Sequence, residues 1–393
     1  MRLGVLFAVS LTLLTACNDA RAARESSTPS STTSTAVAQP SGLRWAKTLD
    51  WTRRATSKAD TSFTITLTVR EPWKGAREPL VYDLLSSGVN KPTSPSSMNA
   101  QTVRLPARRI AALGAVHTGY LVALGAKDRI VAVDAKRYVY DADVRARINE
   151  GRIVEVSAGS GLNVERLLKA RPDLVLSNAV GASEYAALER LRRAGIPVLI
   201  TAEWMEQHAL ARAEWVRLVG ILIGEAASAD SLFAAIEGSY TRLAASGRAM
   251  REGPTVLLGG PFRDQWFVSG GRSFMAGLIA DAGGNYLWKN DTTAGGVPYG
   301  FEAVLAQARS ADVWLHPGDW KSLADGTRQD ARFKEFGAFR RGDVYNSDAR
   351  SHADGANDYW ETGVVRPDRV LADLLSLFHG TEDSLYYYRR LVP

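Results

Sequence analysis

The chain has 393 residues, one cysteine, ten tryptophans and a formal net charge of +6. Its length is enough to bury a core in each of two domains, and a single cysteine excludes a disulfide within the chain. Arginines are scattered among Asp and Glu with no dense basic block, so no phosphate-facing stripe for nucleic acid is expected.

At the amino terminus, Arg2 precedes an apolar stretch from Leu3 to Ala16. The stretch is too short for a membrane span and reads as the hydrophobic core of an export signal. It runs into Leu14-Thr15-Ala16-Cys17. A small-residue pair before a lone cysteine, directly after an apolar run, resembles the lipobox of bacterial lipoproteins. That resemblance implies a signal peptide over 1–16, cleavage before Cys17, and a membrane anchor through lipid on Cys17. Several acyl chains hold stably because each buried methylene adds about 0.8 kcal/mol. The competing reading is an ordinary secretory signal with an incidental cysteine. The expected location is extracytoplasmic, in the periplasmic space, with inner and outer membrane both left open. Residues 18–41 are rich in Ser, Thr, Ala, Arg and Pro and lack periodicity, so 17–41 is expected to be a lipidated flexible tether.

Residues 42–104 form a β extension. Ser62 to Val69 alternates polar and apolar residues, and Leu80 to Leu85 reads as its antiparallel partner after a Pro-Trp-Lys-Gly turn. An α/β pattern occupies 105–210, with short strands expected at 110–113, 130–133, 152–156, 172–176 and 196–200, and helices near 163–170 and 183–194. A helical region follows over 211–249, interrupted at Gly220 and Gly224. Residues 250–393 repeat the α/β grammar and end in a helix over 367–378. The expected fold class is therefore α/β, with two lobes of Rossmann-like layout joined by a long helical spine and preceded by extra β-strands.

Several segments in this order carry a resemblance. They are Arg108-Arg109-Ile110, Ala123-Leu124-Gly125 with Arg129 to Val133, and Pro172 to Leu176. Gly195-Ile196-Pro197-Val198, Gly283-Gly284-Asn285 and Ala311-Asp312-Val313-Trp314 complete the set. Over about 270 residues the chain resembles the substrate-binding proteins of ABC importers for ferric siderophores, haem and cobalamin. The resemblance implies a monomer that is not an enzyme. Its partners would be a permease and, through it, an ATPase. It also implies permease-docking glutamates, which fall at Glu184 and Glu302. Both stand in the first turn of a predicted helix, where the macrodipole alone favours a carboxylate.

In such a layout ligand contacts come from loops beyond the strand ends. The candidates are His117, Tyr138, Glu203 and Trp204 in the first lobe, and Arg263, Trp266, Trp320, His352, Tyr359 and Trp360 in the second. Trp204 offers a flat platform to a corrin, porphyrin or catechol. Arg263 offers a fork of donors to a carboxylate. Gly270-Gly271-Arg272-Ser273 is a candidate backbone cradle for an anion. A bare metal ion held by His117, Glu203, His316 and His352 is an alternative, since distant residues converge in a fold. An envelope hydrolase using His117 as base is another, although no GxSxG elbow or metal motif supports it.

Overall fold

The computed structural model describes residues 38–56, 62–92, 95–158, 161–179, 181–250, 252–262, 265–380 and 385–393. The signal segment, Cys17 and Arg263 lie outside these ranges. Short apolar runs alternating with helices form two sheets, one in each half of the chain. The first is five-stranded and wholly parallel, in the order Val198–Thr201, Leu174–Asn178, Ile110–Leu113, Ile130–Val133, Val154–Glu155. Every residue of Ile110–Leu113 and Ile130–Val133 is buried, as a sheet covered on both faces requires. The second runs Asn285–Tyr286, Thr255–Leu258, Val313–Leu315, Val344–Asn346, Arg389–Arg390, with only the last strand antiparallel. Strand order reverses between Ile110–Leu113 and Leu174–Asn178 in the first sheet, and between Thr255–Leu258 and Val313–Leu315 in the second. Ligands of open α/β sheets lie beyond the carboxyl ends at such reversals.

The helical region expected over 211–249 is two helices, Ala209–Ile223 and Ala226–Arg248. Gly224 ends the first at φ 77°, a conformation that suits glycine. The two then pack against each other in opposite directions. A Cβ on Gly220 would lie 2.3 Å from that of Ala229, and the rings of His208 and Tyr240 are 5.8 Å apart. Small residues at 220 and 229 therefore permit the close crossing.

The amino-terminal extension is a five-stranded sheet rather than a strand pair: Ala38–Pro40, Leu49–Ala55, Phe63–Val69, Leu80–Leu85 and Gln101–Arg104, in that order. Ala38–Pro40 pairs with residues 52–54, so the carboxyl end of the expected tether is an edge strand. The extension closes an exposed edge of the first parallel sheet. Val198–Thr201 is the last strand there, and its outward N–H groups would otherwise be unpaired. The N–H of Val198 donates to Gln101 Oε1 at 3.1 Å and that of Ile200 to the Tyr82 hydroxyl at 3.0 Å.

Two buried carboxylates dock the lead-in to the extension. Glu214 accepts the backbone N–H groups of Arg44, Trp45 and Ala46 at 2.8–2.9 Å. Glu206 accepts those of Lys47 and Thr48 and the Thr48 hydroxyl, the last at 2.6 Å. Both acids are almost fully buried, and donors converging on a buried carboxylate offset its desolvation. Glu214→Ala leaves three N–H groups unsatisfied and should lower stability by about 3 kcal/mol or more. Urea unfolding checks the magnitude, and limited proteolysis should show earlier cleavage near residues 42–48. A variant as stable and as resistant as the parent would contradict this anchoring.

Candidate functional site

The two α/β units meet along a seam where the polypeptides approach at backbone level. Helix Ala115–Ala123 of the first unit packs on the short helix Asp358–Glu361 of the second. A Cβ on Gly119 would fall 1.9 Å from the Glu361 carbonyl oxygen, so glycine is required for this approach. Glu361 reaches across and accepts the N–H groups of Tyr140 and Asp141 at 2.5 and 3.0 Å. Burial still pushes its carboxyl up to about 8, with Asp358 and Asp141 adding to the effect. His352 Nε2 is 3.0 Å from the Tyr140 carbonyl oxygen, and the two rings lie 5.0 Å apart. Arg145 pairs with Asp354 at 2.7 Å. A groove of about 480 Å³ opens beside these contacts, lined by Tyr140, His352, Arg350, Arg366, Arg369 and Tyr386 among others. His352 therefore stands at the seam, joined to Tyr140. Tyr138 is exposed, and its hydroxyl takes a bond from Arg137 at 3.1 Å.

The expected ligand-facing role of His117 does not fit its surroundings. It is fully buried, with Nδ1 2.9 Å from the Leu113 carbonyl and Nε2 2.9 Å from Thr201 Oγ1. Both ring nitrogens are used in packing helix Ala115–Ala123 onto the sheet. Thr201 is buried as well, so no substrate reaches this His–hydroxyl pair and it offers no route to hydrolysis. Glu203 opens a 3₁₀ turn directly after strand Val198–Thr201 and is 1% exposed, with Oε2 buried and unpartnered. Its charge acts on His117 and Tyr120. Trp204 is partly buried, and its indole N–H is buried without a partner.

In the second unit Trp266 and Trp320 are corrected from ligand contacts to core residues. In strand Gln265–Ser269 the alternation turns Trp266 and Val268 inward. Trp266 stacks on Trp314 at 5.4 Å and packs against Phe301, Phe333 and Phe336. Trp320 lies edge-on to Trp314 at 5.2 Å, and its N–H donates to Gln329 at 2.6 Å. Tyr359 is buried, donating to Met275 Sδ at 3.2 Å, and burial raises its hydroxyl to about 12. Its neighbour Trp360 is half exposed and lies edge-on to it at 4.9 Å. These two residues, Phe274 and Leu278 line a small cavity with Arg212 of helix Ala209–Ile223. The position of Arg212 within a predominantly apolar helix was the available sequence signal for this contact.

Glu302 stands in the first turn of helix Phe301–Ala308, its side chain 80% exposed and 3.3 Å from Arg332. Position 184 lies near the start of helix Ala182–Arg193. The Gly270–Ser273 loop does not form an open anion cradle. Its N–H groups at 270, 272 and 273 go to Gly295, Thr293 and Gly270 carbonyls, and Gly271 serves Asp291. Among the described residues no group of three or more His, Cys, Asp or Glu side chains is placed to hold a metal ion. Thus His117, Glu203, His316 and His352 do not converge.

His316 follows strand Val313–Leu315 at the second sheet's reversal, with φ 54°, a sparsely populated conformation for a non-glycine residue. It stacks on Tyr388 at 5.3 Å, with Nε2 2.8 Å from that hydroxyl. Burial holds His316 down to about 4 and lowers His117 and His208 as well. A lowered folded-state pKa means that the unfolded chain binds the extra proton first. Its stability contribution is complete above about 6.5 and is lost as pH falls from there towards about 4. Glu361, raised, acts oppositely as pH climbs through about 8. In urea unfolding, His316→Gln should lose about 2 kcal/mol less than wild type between about pH 7 and about pH 5. An unchanged pH slope would contradict a neutral buried His316.

The periplasmic binding protein family model matches residues 110–350, more than half of the chain. An uncharacterised lipoprotein of Methanocaldococcus jannaschii is 21% identical over 290 residues, covering 72% of this chain and 67% of its own. Among solved structures, a periplasmic haem-binding protein from Pseudomonas aeruginosa gives a TM-score of 0.56 at 19% identity, covering 73% of this chain and 99% of that one. An ABC-type Fe3+-hydroxamate transport system protein from Saccharomonospora viridis gives 0.54 at 18%, covering 70% and 94%. At such identities these structures establish likeness of fold alone. With two α/β units meeting at a polar and aromatic seam, the chain belongs to the periplasmic binding protein family.

Proposed function

We propose that the protein is a lipid-anchored solute-binding component of an ABC importer. It captures a ferric siderophore or similar iron complex between its lobes and delivers it to the permease, which is coupled to the ATPase. Haem and cobalamin are alternative cargoes of the same class. The observation that carries this reading is the seam, where a half-exposed Trp360, Tyr140, His352 and several arginines border the meeting of two α/β units. Flat rings and guanidinium groups suit a bulky chelate better than a bare ion, which asks for converging His or carboxylate ligands. Solved proteins of similar fold include a haem-binding protein and an Fe3+-hydroxamate transport protein, in agreement with that class. Family membership supports a non-enzymatic role in general.

In this reading lipid on Cys17 confines the receptor to a membrane surface, and helix Ala226–Arg248 serves as the spine between lobes. Glu184 and Glu302 are the docking carboxylates for permease arginines. Glu302 suits this role because its pair with Arg332 is exposed and easily exchanged.

Protein purified from its native envelope should carry an absorbance signature. Broad charge-transfer bands are expected for a ferric siderophore, an intense Soret band for haem, and corrin bands for cobalamin. If none appears and ferric chelates, haem and cobalamin all fail to bind in equilibrium titration, the cargo class is wrong. Charge reversal of Glu184 and Glu302 to Arg together should abolish uptake by cells while leaving ligand affinity within about twofold. A large loss of affinity would remove both residues from the docking role.

A further inference from the structure

We infer that Arg212 is an anion-recognition residue of the seam, built to receive a carboxylate of the captured cargo. Arg212 lies on helix Ala209–Ile223 and is only 8% exposed. Its Nε is buried without a partner, and among the described residues no carboxylate forms an ion pair with it. Nearby acids on the same stretch are committed elsewhere. Glu206 holds Lys47 and Thr48, and Glu214 holds residues 44–46 and Arg217. Glu203 is near enough to act on Tyr120 but makes no bond to Arg212. The Tyr120 hydroxyl binds the backbone carbonyl of Arg212 at 2.7 Å rather than its side chain. What remains for the guanidinium is the Phe274 ring of the second lobe, with Cζ 4.2 Å from its centroid.

A buried Nε–H without an acceptor is unfavourable to the fold, and stacking of the guanidinium on one ring offsets that only in part. The same residue lines a cavity of about 20 Å³ with Phe274, Leu278, Tyr359 and Trp360. That space admits a group about the size of a water molecule or a carboxylate head, and half-exposed Trp360 lies beside it. Its apolar walls would strengthen a carboxylate–guanidinium pair relative to water. Arg212 comes from the linking helix Ala209–Ile223, and Phe274, Leu278, Tyr359 and Trp360 come from the second unit, so an anion seated here would bridge the linker and that unit. The inference rests on the chelate-capture reading and adds a cargo requirement, namely at least one free carboxylate.

The test combines thermal unfolding, tryptophan fluorescence and equilibrium binding on the whole protein, Arg212→Gln and Arg212→Lys. Without added anion, Arg212→Gln should melt at or above the wild-type temperature, because it removes a buried Nε–H that has no acceptor. Sodium acetate should raise the wild-type midpoint, leave Arg212→Gln unmoved and act weakly on Arg212→Lys. Ferric citrate should bind Arg212→Gln about tenfold or more weakly than wild type, while ferrioxamine B, which has no free carboxylate, should change less than about twofold. Equal acetate responses in wild type and Arg212→Gln would overturn the inference. A lower Arg212→Gln midpoint with unchanged ferric citrate affinity would assign Arg212 a packing role and overturn it too. Chloride protecting as well as acetate would assign the cavity to a free inorganic ion, against a cargo carboxylate. If neither chelate binds wild type yet the acetate response is present and lost in Arg212→Gln, the anion site stands and the chelate reading fails.

Discussion

Burying a carboxylate is costly unless donors converge on it, and Glu206 and Glu214 meet that condition with one short piece of backbone. Residues 44–48 supply the N–H groups, and these acids belong to the junction between the first α/β unit and its helical pair. The extension, the parallel sheet and the helices are thereby tied at one point. With that point held, Tyr82 and Gln101 are brought to the open edge strand, and helix Ala209–Ile223 presents Arg212 towards Phe274.

The seam obeys a different constraint, that of close approach. Gly119 lets two backbones meet, and Glu361 then bonds the Tyr140–Asp141 peptides across the gap. These are directional contacts between main chains and leave little tolerance for sliding. Polar groups left without partners, on Glu203, Trp204 and Arg212, lie in the same region of the molecule. Backbone pairing fixes the geometry of the seam.

Strands were legible where apolar residues ran unbroken, as in Ile130–Val133, or alternated, as in Phe63–Val69. Leu49–Ala55 was not, because Arg53 and Arg54 mask its alternation and Arg53 instead covers the Phe63 ring at 4.2 Å. The reversal at Gly224 was hidden in a continuous helical pattern, since a one-glycine cap and an interruption look alike in sequence. For the site, strand-end position located the right neighbourhood but could not say which side chains fold inward. His117 turned into the core, where its ring nitrogens meet the Leu113 carbonyl and the Thr201 hydroxyl, and Trp266 and Trp320 joined an aromatic interior, whereas Trp360 stayed half exposed. Arg212 was missed because its partnerless state depends on where Glu206 and Glu214 point, which no spacing encodes.

A sheet edge covered by two side chains differs from one covered by another strand. A strand partner shares the protection among many bonds, whereas here Val198 and Ile200 each depend on a single acceptor. Loss of the Tyr82 hydroxyl or the Gln101 amide would leave the buried N–H of Ile200 or Val198 without an acceptor. The extension therefore completes the bonding of this edge as well as covering it, and it does so through the identities of residues 82 and 101.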